Sequence, residues 1–148
     1  MASGDYPEAG RDIRDDVAAA PSYPAGVAAV LSDTIREVAV PEPRADATWT
    51  WGAIRVGDCF LGGGTLRVFS DGTAHWRAHD MLSSSSDNAW GAQFEFFDKN
   101  GLSRWKFGYI WSPTLPRDHP LVWENNNQLF YPAELFPFIS GVLMHSRC

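Results

Sequence analysis

The 148-residue sequence predicts an all-β chain: a small antiparallel β-barrel (or sandwich) with an N-terminal amphipathic helix. Two observations carry that reading. Twenty residues are Phe, Trp or Tyr, and many recur at every second position, the spacing that sends side chains to one face of a strand. Asp71-Gly72 and Asn100-Gly101 each separate two such alternating runs, the dipeptide pattern of a hairpin. A chain of this length buries roughly 68–70% of its unfolded surface, so one barrel over residues 48–148 is expected to hold its own core.

Residues 1–22 are rich in Gly, Pro, Ala and Asp and show no period, so they are expected to be a mobile acidic arm. Ser22 can cap a helix with Pro24 just inside it. Val27, Val30, Leu31, Thr34, Ile35 and Val38 then share one face, so residues 23–38 read as an amphipathic helix serving as a lid. Residues 39–47, with Pro41 and Pro43, read as an extended tether. Strands are expected at 48–54, 65–69, 73–80, 89–97, 103–111, 121–124 and 138–146, with one helical turn at 131–137 between prolines. Closure into a barrel is favoured because it removes the edges that such apolar strands would otherwise present.

Alternation also assigns faces. Leu66, Val68, Ala74, Trp76 and Ala78 are expected to point inward on the first hairpin. Trp90, Ala92, Phe94 and Phe96 should do so on the second, facing Trp105, Phe107, Tyr109 and Trp111 on its partner strand. His75, Arg77, His79, Gln93, Glu95, Arg104 and Lys106 are left facing outward.

The net charge of −6 resides mainly in residues 1–46, and the remainder is nearly neutral. With no cluster of Lys and Arg to track phosphates, no nucleic-acid partner is expected. No apolar run approaches the ~18 residues of a membrane span, and no basic-then-apolar leader occupies the first thirty residues. No membrane association and a cytoplasmic location are therefore expected. Cys59 and Cys148 stay open between two states: free thiols suit a reducing cytosol, whereas their positions would let a bridge staple the last strand to an early one.

His75 and His79 look like a metal pair, but four residues along a strand separate them by about 13 Å, too far to share an ion that each must approach to about 2.0 Å. No metal and no cofactor are expected. Gly62-Gly63-Gly64 lacks the Gly-Lys-Ser/Thr of a phosphate loop and reads as a flexible connection, and 83–86 reads as a Ser-rich loop. Among the acids within strands, Asp80, Glu95 and Glu124, the alternation puts Glu95 on the surface. Glu124 follows Trp123 at a strand end and is the preferred general acid or base.

Trp51-Gly52, Arg55-Val56-Gly57-Asp58-Cys59, Ser70-Asp71-Gly72-Thr73-Ala74, Ser86-Asp87-Asn88-Ala89-Trp90 and Leu135-Phe136-Pro137 are similar to runs in a family of small actinobacterial β-proteins of unknown function. The resemblance spans about residues 51–148 and supplies no catalytic residues. It implies a secreted protein whose two cysteines could pair, while the acidic arm and helix depart from that pattern. In general plan the chain also resembles the small β-barrel cyclases of polyketide biosynthesis, an analogy of architecture alone.

The expected function is a cofactor-independent cyclase or isomerase of cycloaddition type, acting on an apolar natural-product intermediate. Trp76, Trp90, Phe94, Trp105, Tyr109, Trp111 and Trp123 would line the cavity, with Glu124 and Tyr109 catalytic. The alternative is a non-catalytic carrier using the same pocket. The expected partner is an apolar small molecule, and a homodimer is a further option.

Overall fold

The structure, a computed structural model, describes residues 12–21, 45–125 and 129–148. The helix expected at 23–38, and most of the arm and tether, lie outside the described residues. Strand β1 (Ile13–Val17) is followed by β2 (Asp46–Trp51), β3 (Ile54–Val56), β4 (Cys59–Leu61), β5 (Gly63–Phe69) and β6 (Thr73–Ser83). Next come β7 (Gly91–Phe97), β8 (Ser103–Lys106), β9 (Ile110–Trp111), β10 (Leu121–Glu124) and β11 (Leu129–Phe130). A 3₁₀ turn (Ala133–Phe138) then leads into β12 (Gly141–Arg147).

Antiparallel pairing makes two sheets. The first has the order β1-β12-β7-β8, with β9 also on β7; the second has the order β2-β5-β6-β4-β3, with β10 and β11 also on β6. The chain is mostly β, as its alternation indicates. Trp49, Trp76, Trp90, Phe94 and Phe96 all lie in one enclosed core with Leu66, Val68, Ala74, Ala78 and Ala92. The inward sets expected on the first hairpin and on β7 of the second are thus buried, and burial of large rings is strongly stabilising.

Pleat phase is adjusted by bulges. Between Leu121 and Trp123 of β10 the partner residues on β6 run from Met81 to Ala78, so β6 carries one extra residue there. Asp80 sits in that stretch with φ 54, and the shift returns Met81 and Ser83 to the buried face. On β8 the partners of Phe96 and Phe97 are Trp105 and Ser103, which leaves Arg104 as the extra residue.

Three expectations are corrected. Ile13–Val17, within the arm expected to be mobile, is a strand in register with β12 from Ile13↔Arg147 to Val17↔Leu143. It lies on the sheet edge with both faces largely exposed, so it carries no hydrophobic period to read. Backbone bonding holds it, helped by the Trp51 indole N–H donating to the Asp16 carbonyl at 2.8 Å. Secondly, Gly63 and Gly64 are not a flexible connection but belong to β5 and are buried. The Trp76 ring occupies the space a side chain at Gly64 would need, which explains a glycine inside a strand.

The third correction concerns the strand expected at 103–111. It is split: β8 ends at Lys106, 107–109 leave the sheet, and β9 rejoins β7 with Gly91 opposite Trp111 and Ala92 opposite Ile110. Directly paired residues share a face, so Trp111 lies on the side of Gly91, Gln93 and Glu95, away from the core. Trp105 and Phe107 keep the inner side beside Phe96, and Tyr109 joins Trp111 on the outer one.

Cys59 and Cys148 form a disulfide, with Cα atoms 6.0 Å apart. It ties β4 of the second sheet to the residue after β12 of the first, and both cysteines are buried.

Candidate functional site

Most of the aromatic stripe packs ring against ring. Trp76 meets Phe94 at 4.8 Å between centroids, Trp51 at 5.7 Å and Trp123 at 6.1 Å, mostly in tilted or edge-on geometry. These are the separations aromatic pairs prefer, and Trp90 is fully enclosed alongside them. The enclosed indole N–H groups of Trp49, Trp76, Trp90 and Trp105 have no acceptor among the described residues.

Glu124 does not share the side of its neighbour Trp123. Trp123 is buried, whereas Glu124 points outward from β10 and its carboxylate meets His75 Nε2 at 2.6 Å across the strand pair. His79, four residues along β6, is engaged separately by Asp80 at 2.8 Å. Among the described residues no group of three or more His, Cys, Asp and Glu side chains is placed to hold a metal ion.

The outer face of the first sheet gathers polar and aromatic groups from five strands. The register sets the rows: Ile13, Arg147, Gly91 and Trp111 lie side by side, and Asp15, His145 and Gln93 form the next row. Tyr109 and Trp111 stack with centroids 6.1 Å apart and planes 28° apart, and the Arg147 guanidinium stands 5.1 Å from the Tyr109 ring centre. Both rings are half-buried, and the Arg147 Nε lies enclosed with no acceptor among the described residues. A cation over a ring face is favourable in itself.

Beside that platform runs a chain of polar contacts. Ser103 Oγ donates to Glu95 Oε2 at 2.6 Å, Glu95 Oε1 meets His145 Nε2 at 2.8 Å, and His145 Nδ1 meets Asp15 Oδ1 at 2.8 Å. Only 14% of the Glu95 side chain and 16% of that of His145 is exposed. Desolvation pushes Glu95 up, but the hydrogen bonds from Ser103 and His145, with the charges of Lys106 and His145, outweigh it and hold its carboxyl below the usual value. The imidazole lies between two carboxylates, so these do not converge on one point as metal ligands would. Nor does Ser103 touch the imidazole, so this is not a nucleophile–base–acid triad.

Of the residues expected to bind substrate, the structure therefore brings Trp76, Phe94 and Trp123 together inside the core with Trp90 enclosed beside them. It places Tyr109 and Trp111 together outside, and leaves Trp105 half-buried against Phe107 at 6.2 Å. His145, Arg147, Asp15 and Ser103 were not singled out from the sequence. The alternation Leu143, His145, Arg147 was there to be read, but only the pairing of β12 between β1 and β7 sets these side chains beside Asp15 and Glu95.

A model of a family of unknown function (DUF6294) matches residues 65–148. The chain belongs to that family. The match begins within β5 and runs through β12, so it holds Tyr109, Trp111, Arg147, Glu95 and His145, while Cys59 and Asp15 precede it. No curated protein and no solved structure matches the chain. Among the described residues no helix is long and apolar enough to cross a membrane.

Proposed function

We propose that this chain is a non-catalytic binding domain that works in an oxidising compartment and holds a flat-ringed small molecule on the Tyr109–Trp111 platform beside Arg147. Of the two functions expected from the sequence, carrier and cyclase, the packing favours the first. The observation that carries this reading is the division of the aromatic residues. Trp76, Trp90 and Phe94 have no exposed surface, whereas the stacked Tyr109 and Trp111 rings keep part of theirs and have a guanidinium at hand. A flat ring can stack there while its polar edge meets Arg147.

Glu124 supports the same choice, since its carboxylate is occupied by His75 on the outer surface and not turned toward the enclosed rings. The Cys59–Cys148 bond argues for an oxidising compartment in place of the cytoplasm expected from the sequence, because such bonds persist where thiols are not kept reduced. Native mass spectrometry of the protein recovered from its own producer, wild type beside Trp111→Ala and Tyr109→Ala, tests the proposal. A small molecule retained unchanged by the wild type and lost from both variants is the expected result. Chemical conversion of that molecule, or its full retention by both variants, overturns it.

A further inference from the structure

On the opposite sheet, a row of side chains crosses three strands. Arg55 of β3 pairs with Phe60 of β4, and Phe60 pairs with Leu82 of β6, so the three stand on one face in line. The Arg55 guanidinium lies 5.4 Å from the centre of the Phe60 ring. Pro116, whose carbonyl accepts the Ser83 N–H at 2.8 Å, brings the following residue Arg117 to the same place. Arg55, Asp58, Phe60, Leu82, Ser83 and Arg117 line an open surface cleft of about 290 Å³.

The charges in this cleft are unevenly satisfied. The Asp58 carboxylate accepts from Ser85 Oγ at 2.9 Å, and Ser83 Oγ is engaged by Ser85 and Asn88. Neither guanidinium forms a salt bridge among the described residues. A guanidinium laid over a phenyl ring keeps its N–H edge available, and two of them beside an apolar floor match a single ligand type: an anionic head on an apolar body.

We propose that this cleft is a binding site for a small amphipathic anion, an aryl or short acyl carboxylate or phosphate monoester. Arg55 and Arg117 hold the head, and Phe60 and Leu82 the body. It is separate from the Tyr109–Trp111 platform and does not depend on what binds there. The Cys59–Cys148 bond braces it, since Cys59 lies between Asp58 and Phe60 and pairs with Ser83.

The test is a titration of the full chain, followed by backbone and arginine side-chain NMR, with benzoate, phenyl phosphate, inorganic phosphate and benzyl alcohol. Saturable shifts at Arg55, Phe60, Leu82 and Arg117 with the two aryl anions are expected, with inorganic phosphate and benzyl alcohol each at least about tenfold weaker. Arg55→Gln and Arg117→Gln change exposed side chains and should leave the thermal midpoint in place while each weakens phenyl phosphate by about tenfold. Phe60→Ala should bring phenyl phosphate down to the level of inorganic phosphate. Shifts that map elsewhere, no saturation with either aryl anion, or unchanged affinity in both Arg→Gln variants overturns the proposal, and stronger binding of phenyl phosphate than of benzoate assigns the phosphate head.

Discussion

Trp111 occupies the space above Gly91: a Cβ built on that glycine would stand within 2.9 Å of three atoms at the far edge of the indole. The two residues are directly opposed in the β9–β7 pair, and the missing side chain lets the ring lie on the outer face of the sheet beside Tyr109. The contact reaches only the far end of the ring, so Trp111 can swing aside. Gly91→Ala should therefore cost less than about 1 kcal/mol, yet disturb the Tyr109–Trp111 stack. Near-ultraviolet circular dichroism should change while the denaturation midpoint barely moves; a loss of several kcal/mol would show that the ring is fixed in place.

The enclosed and open rings should separate in a stability series. Trp76 packs against Trp51, Phe94 and Trp123, so Trp76→Ala should cost about 3–5 kcal/mol, the range of a large-to-small change in a packed core. Tyr109→Ala on the half-buried platform should cost about 1 kcal/mol or less. Urea denaturation of both variants measures the difference, and equal losses would remove the distinction on which the binding proposal stands.

Glu95 should contribute to acid sensitivity. Its carboxyl is held below its ordinary value in the folded protein, so the folded form favours the ionised state. That stabilisation is complete above the unfolded value of about 4.3 and is lost as pH falls through the lower folded value. Glu95→Gln should lower stability at neutral pH by about 1–3 kcal/mol and flatten the acid limb of the stability–pH curve. An acid limb as steep as the wild type's would assign that sensitivity to other carboxylates.

Tyr131 should act at the other end of the scale. Burial, with a smaller contribution from the nearby Asp71 charge, raises its phenol well above the ordinary value, and its hydroxyl donates to the Phe69 carbonyl. A raised folded value means that its contribution is complete below the unfolded value of about 10 and is lost as pH climbs beyond it. Tyr131→Phe should cost about 0.5–1.5 kcal/mol at neutral pH and weaken the alkaline destabilisation. Circular dichroism melts between pH 8 and 11 would show this, and identical alkaline slopes would count against it.

The disulfide closes a span of 89 residues and joins the two sheets. Cys148→Ser should lose roughly 2–5 kcal/mol, most of it through the freedom returned to the unfolded chain. Melts with and without reductant should bring the wild type close to the variant, and a reductant-insensitive wild type would contradict the bond's contribution.

What the sequence determined by itself was the class of fold and, over the long strands, which side chains are buried. In β5, in β7 and in β6 as far as Ala78 the pleat is unbroken, so period-two alternation is enough to put Leu66, Trp76 and Phe94 inside. Tertiary structure decided everything that depends on pairing at a distance. The break at 107–109 reversed the face of Tyr109 and Trp111, because a strand that leaves the sheet re-enters in a phase its own sequence does not encode. Polar β1 became a strand only because β12 offered it an edge, and that same pairing brought Asp15 to His145. Cys59 and Cys148 were open between two states until the two sheets closed on one core and set their Cα atoms 6.0 Å apart, a separation that spacing along the chain cannot specify.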